Sequence, residues 1–186
     1  MNSTELELQT LKYPIGNFKV PEAYSNTLIS ECKQTIAGFA DVIQDKVKGL
    51  THEQLNWKYR PNGWTVKQVV HHCADSHMNA FIRFKWTLTE NKPLIKPYHE
   101  ASWAELPDSL EGDVEDSLTI LKGLHRRFAV LLNNLDQDDL EKTFVHPDWD
   151  DPLSLNMTLC LYAWHCKHHL AHIDNALKSK GIYNNQ

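Results

Sequence analysis

Leu159-Cys160-Leu161-Tyr162-Ala163-Trp164-His165-Cys166-Lys167-His168-His169-Leu170-Ala171-His172-Ile173 reads as successive turns of an amphipathic helix. Leu159, Ala163, Cys166, Leu170 and Ile173 recur every three or four residues, and Leu155 and Leu177 continue the stripe at either end. Ser154 suits the cap before it and Gly181 the stop after it, so the helix runs to Lys180. Four histidines fall within eight of its residues. Residues four apart share a helix face, so His165 stacks with His169, and His168 with His172. On a wheel of about 100° per residue, His165 and His169 flank the apolar stripe, while His168 and His172 turn further toward solvent. A stacked imidazole pair can grip one metal ion. With a third histidine and one open position, it has the ligand set of a catalytic zinc.

That third histidine is sought in Val69-Val70-His71-His72-Cys73-Ala74-Asp75-Ser76-His77. The helix containing it opens at Thr65 with a capping box (Thr65, Gln68) and runs to about Glu90. Its stripe passes through Val66, Val69, Val70, Cys73, His77, Ala80, Phe81, Phe84 and Leu88, with His72 at its edge and His71 farther round. The preferred ligand set is therefore His72, His165 and His169, since facing helices of a bundle can share one metal. His77 reads as a core histidine, and His168 and His172 as pocket rim or plain surface. Asp75, Ser76 and Asp174 are candidates to orient the ligand rings. Cys73 and Cys166 fall inside apolar stripes and read as buried, inert thiols.

Two further long helices are expected. One spans about Pro21 to Leu50, through Ile29, Cys32, Ile36, Phe39 and Ile43, with Gly49 near its end; the other spans about Val114 to Leu135. Thr51 and Gln54 form a second capping box, for one short helix, and Asp136 starts another. Residues 1–20 read as an extended arm with a turn at Tyr13-Pro14-Ile15-Gly16, residues 91–112 as a long loop, and 143–152 as irregular with a short strand pair. The expected fold is all-α: a four-helix bundle with short extra helices and long connecting loops, in one domain over residues 1–186.

Composition narrows the function. The chain is 41% hydrophobic and 23% charged, with a net charge of -5, so no broad basic surface points to nucleic acid. No apolar run approaches a membrane span, and the N-terminus has no basic stretch followed by an apolar one. The four cysteines form no C-x-x-C pair, which fits reduced thiols in a cytoplasmic protein. There is no H-E-x-x-H, no glycine-rich phosphate loop and no G-x-S-x-G elbow.

Several segments carry a family likeness: Tyr13-Pro14-Ile15-Gly16, Gly63-Trp64-Thr65-Val66, Gln68 through Asn79, Arg83-Phe84-Lys85, Pro97-Tyr98, Trp103, His146-Pro147, and Tyr162 through Ile173. The chain resembles the DinB superfamily of metal-binding four-helix bundles, and within it the YfiT-type proteins. The resemblance implies one divalent metal, zinc or nickel, held by His72, His165 and His169. It also implies a homodimer and a metal-dependent hydrolase acting on a small molecule. Some relatives resemble S-transferases that attach a low-molecular-weight thiol such as bacillithiol to electrophiles. A metal on three neutral imidazoles keeps its full charge, and can activate either water or a thiol. The competing expectation is a non-enzymatic bundle with a structural metal, which needs a fourth protein ligand.

Overall fold

Ser25, Thr65, Asp113 and Ser154 each accept a hydrogen bond from a backbone amide two or three residues on, and each starts a long helix. The computed structural model describes residues 3–183. In chain order the helices are α1 (Ser3–Lys12), α2 (Asn26–Val47), α3 (His52–Leu55), α4 (Val66–Thr89), α5 (Glu100–Trp103), α6 (Pro107–Glu111), α7 (Val114–Asn133) and α8 (Gln137–Glu141). A two-stranded antiparallel pair, β1 (Thr143–Phe144) and β2 (Leu153–Ser154), leads into α9 (Leu155–Ser179). Both predicted capping boxes, Thr51–Gln54 and Thr65–Gln68, are complete in both directions. The last helix stops at Lys180 and Gly181, both left-handed. A Cβ on Gly181 would lie 2.3 Å from the Trp57 ring, so that turn requires glycine.

The four long helices form a bundle in which α2 packs on α7 and α9, and α4 packs on the same two. Thus α2 and α4, successive long helices, lie diagonally opposite, as do α7 and α9. Residues 48–65 and 134–154 make those diagonal crossings, which is why they are long. Apolar stripes from all four helices meet at Ile36, Phe39, Phe84, Leu121, Phe128, Leu159 and Ile173, each at most 1% exposed. Phe128 takes Phe81 and Phe84 edge-on. No helix among the described residues is long and apolar enough to cross a membrane.

Three stretches differ from the sequence reading. Helix α2 starts at Asn26 rather than near Pro21, because Ser25 supplies its cap. Residues 3–12 are helical rather than extended: Glu, Leu, Gln and Lys are good helix formers, and they outweigh the apolar–polar alternation of Leu6, Leu8 and their neighbours. The turn at Tyr13–Gly16 follows, closed by the Gly16 amide donating to the Tyr13 carbonyl at 2.9 Å. Residues 91–112 are a strap containing α5 and α6. The amide of Gln68, whose oxygen caps α4, also donates to the carbonyl of Ala104 at 2.8 Å, and Lys67 donates to the carbonyl of Leu110 at 3.1 Å. The start of α4 thereby holds the strap over itself.

Candidate metal centre

His72 lies in the second turn of α4, and His165 and His169 lie on the facing side of α9. One donor atom from each falls within 4.8 Å of the others. The Nε2 atoms of His72 and His165 are 3.3 Å apart. That is the spacing of two nitrogens each held about 2.0–2.1 Å from one tetrahedral ion. Trp64, from the turn before α4, tilts against the His72 ring at 4.8 Å.

The outer nitrogens of two of these rings are held by further imidazoles. His165 Nδ1 meets His77 Nε2 at 3.1 Å; His77 Nδ1 meets His125 Nε2 at 2.9 Å; His125 Nδ1 meets the carbonyl of Ile36 at 2.6 Å. A carbonyl only accepts, and a neutral imidazole has one donor and one acceptor nitrogen. The direction of the whole chain follows: His125 donates to Ile36, His77 donates to His125, and His165 donates to His77. His165 Nε2 is left with a free lone pair facing His72. A shorter chain does the same for His169. His172 Nε2 donates to the carbonyl of Lys12 at 3.1 Å, and His172 Nδ1 accepts from His169 Nδ1 at 3.3 Å. His169 Nε2 then carries its lone pair inward.

These rings are held neutral. Burial pushes His165, His169 and His77 well below the ordinary imidazole range, and neighbouring imidazoles add to the shift. Burial lowers His72 to about 4 and His172 to about 3. Neutral imidazole is the form that binds metal.

His71 points elsewhere, bonding Ser117 Oγ on α7 at 2.8 Å, so the structure separates it from its neighbour as the wheel did. His77 is the core histidine expected, and it also touches the site. His168 and His172 are 7% and 2% exposed, against the expectation of rim or surface positions. The wheel counts only the bundle's own helices, whereas the N-terminal segment and the stretch before α4 cover this face. Tyr13 and Trp164 stack on His168, and Tyr59 stacks on His172 at 3.8 Å. Asp174 pairs with Lys46, and among the described residues the hydrogen bonds to the ligand rings come from histidines and Ser76 rather than from Asp75 or Asp174. Ser76 Oγ does approach His165 Nε2, at 3.4 Å. Cys73 and Cys166 are fully buried, with thiols pushed upward by desolvation. Cys32 and Cys160, distant in sequence, meet at 3.6 Å.

Two cavities adjoin the site, one lined by all three histidines and the other by His165 alone of the three. One of about 530 Å³ is lined by His72, His165, His169 and His172, with Tyr59 and Trp64. The other, about 470 Å³, is lined by Ser76, Arg83, Tyr98, His146, Tyr162 and His165. Glu100 and Ala101, from the strap, line both. Among the described residues the donor cluster stops at three members, leaving room for a further ligand.

Residues 39–173 match the family profile described as DinB superfamily. The chain belongs to the DinB superfamily. Within it, a protein of Oceanobacillus iheyensis is 46% identical over 169 residues, covering 91% of this chain and 97% of its own length. One from Bacillus cereus is 47% identical over 171 residues, covering 92% and 98%. Both carry the name "Putative metal-dependent hydrolase". Among solved structures, YfiT from Bacillus subtilis superposes with a TM-score of 0.89 at 42% identity, over 92% of this chain and 98% of that one. YfiT is described as a probable metal-dependent hydrolase with an unusual four-helix bundle topology. In this DinB protein, successive long helices lie diagonally opposite in the bundle.

Proposed function

We propose that this protein is a metal-dependent hydrolase of small molecules, with His72, His165 and His169 holding one divalent ion, zinc in preference to nickel. The observation that carries the reading is the convergence of three neutral imidazoles beside two cavities, two of them with their outer nitrogens already engaged. A structural zinc takes four protein ligands; the nearby His172 is instead committed to Lys12 and His169. When bound, such an ion supplies a Lewis acid that polarises a substrate oxygen and lowers the pKa of water. The protein's own part is to hold the rings, to exclude bulk water with the strap, and to move a proton. Glu100, the carboxylate lining both cavities, is placed for that last task.

The experiment is metal content of untagged protein beside His72→Ala and His169→Ala, followed by a screen of esters and amides. About one equivalent of metal in the wild type, lost in both folded variants, is expected on a single-site reading. Glu100→Gln should keep the metal and lower kcat by about 10²-fold or more. A protein that takes up no metal overturns the reading. Metal uptake with thiol addition to electrophiles and no hydrolysis would replace hydrolase by thiol transferase.

A further inference from the structure

Among the described residues, Arg83 is a cation with no acidic partner. It projects from α4 into the 470 Å³ cavity beside His165. Its Nε is buried without a hydrogen-bond partner, and no ion pair to its guanidinium exists among the described residues. A half-buried arginine left this way forfeits hydrogen bonds that water would supply. The hydroxyl of Tyr98, in the same cavity, is also buried; Ser76 lies beside it, but no hydrogen bond of full geometry is formed. Desolvation pushes Tyr98 upward, so it keeps its proton and can donate it. The other hydroxyls nearby are engaged, since Tyr162 donates to the Ser76 carbonyl at 3.2 Å and Ser76 Oγ faces Tyr162 and His165.

We propose that this cavity binds a carboxylate of the substrate, with the Arg83 guanidinium as its charged partner and Tyr98 donating beside it. The free Nε–H together with a terminal N–H makes the side-on fork that matches the two oxygens of a carboxylate. The balance of charge selects a monoanion. His146 lines the cavity but is kept neutral by burial and by Arg83 itself, so it adds no second cation. Asp148, with its side chain 72% exposed, and Glu100 stand at the edge, where they penalise a phosphate dianion more than a carboxylate. The anion site shares His165 with the metal centre. A substrate held by its carboxylate would therefore present its reacting group toward the ion, and the assignment rests on the hydrolase reading for that step.

The test is calorimetric titration of zinc-loaded and metal-free protein with 3-mercaptopropionate and with its uncharged amide. The acid should bind about 10-fold or more tightly than the amide, the difference of one charge-assisted hydrogen-bonded pair. Arg83→Gln should abolish the preference, and Tyr98→Phe should reduce it about 3-fold, with circular dichroism unchanged in both. Equal binding of acid and amide, or a preference that survives Arg83→Gln, overturns the proposal. Inorganic phosphate displacing the acid at equal concentration overturns the choice of carboxylate. An acid preference in protein that retains no zinc supports the anion site while the metal reading fails, so the two are judged separately.

Discussion

His77 is fully enclosed, yet both of its ring nitrogens are engaged, one by His125 and one by His165, while Phe39 stacks on its face at 4.9 Å. A ring so placed fixes which nitrogen of His165 carries hydrogen, and holds the plane of the ligand. Carboxylates usually perform this task at metal sites, but a buried carboxylate would bring a charge into the bundle centre. A neutral imidazole chain ending on a backbone carbonyl gives the same directionality without one. His77→Phe keeps the ring's bulk against Phe39 and removes both hydrogen bonds. It is expected to weaken zinc affinity about 10–100-fold, read by competition with a chromophoric chelator. It should also cost about 1–3 kcal/mol of stability, because His125 Nε2 and His165 Nδ1 lose partners. His71→Phe, which breaks the Ser117 bond outside the site, is the matched control and should leave affinity unchanged. Equal affinities in the two variants would refute an orienting role for His77.

At the scale of elements, the long helices were legible because their signals are local. Thr65 and Ser154 cap where the sequence places them, Ser25 caps α2 a turn later than the Pro21 start expected, and the apolar spacing names the buried faces. The inward pair and the preference for His72 over His71 follow from the same periodicity. What was not legible depends on long-range packing. No local pattern says that α1 and the Tyr13 turn lie over His168 and His172, or that His125 of α7 meets His77 of α4. The strap is another case: prolines read as loop, yet Gln68 ties it down while also capping α4. That double use gives a test. Gln54 completes a capping box of the same type without the strap contacts recorded for Gln68. Gln68→Leu should destabilise the fold by about 1–3 kcal/mol, since the Ala104 carbonyl loses its donor. Gln54→Leu should cost about 1 kcal/mol or less, as for an exposed cap. Amide exchange across residues 100–106 should accelerate in the Gln68 variant alone. Equal exchange there in both variants would show that the strap is held by other contacts.

At the scale of the whole molecule, the bundle encloses an unusual quantity of imidazole. Nine histidines are depressed below the ordinary range, with burial the leading cause in each. For each, the unfolded chain takes up a proton near pH 6.5 while the folded chain does not until lower pH. Acidification therefore favours the unfolded state, and stability is lost as pH falls below about 6.5. The loss continues toward pH 4, where His72 and His168 would titrate in place, and toward 3 for His172. Asp75 works in the opposite direction. Its folded value is raised to about 6, so it takes up a proton first in the folded state and stabilises it slightly between pH 6 and 4. One half-buried carboxyl cannot offset nine imidazoles, several of them fully enclosed. The Tm of metal-free protein is expected to fall steadily from pH 7 to pH 4.5, with the steepest change below pH 6.5. Zinc-loaded protein should fall more steeply, because protons and metal compete for the same nitrogens. A Tm that is flat or rising over that interval in metal-free protein would mean that the imidazole chains carry charge in the folded state. The direction assigned to their hydrogen bonds would then fail with it.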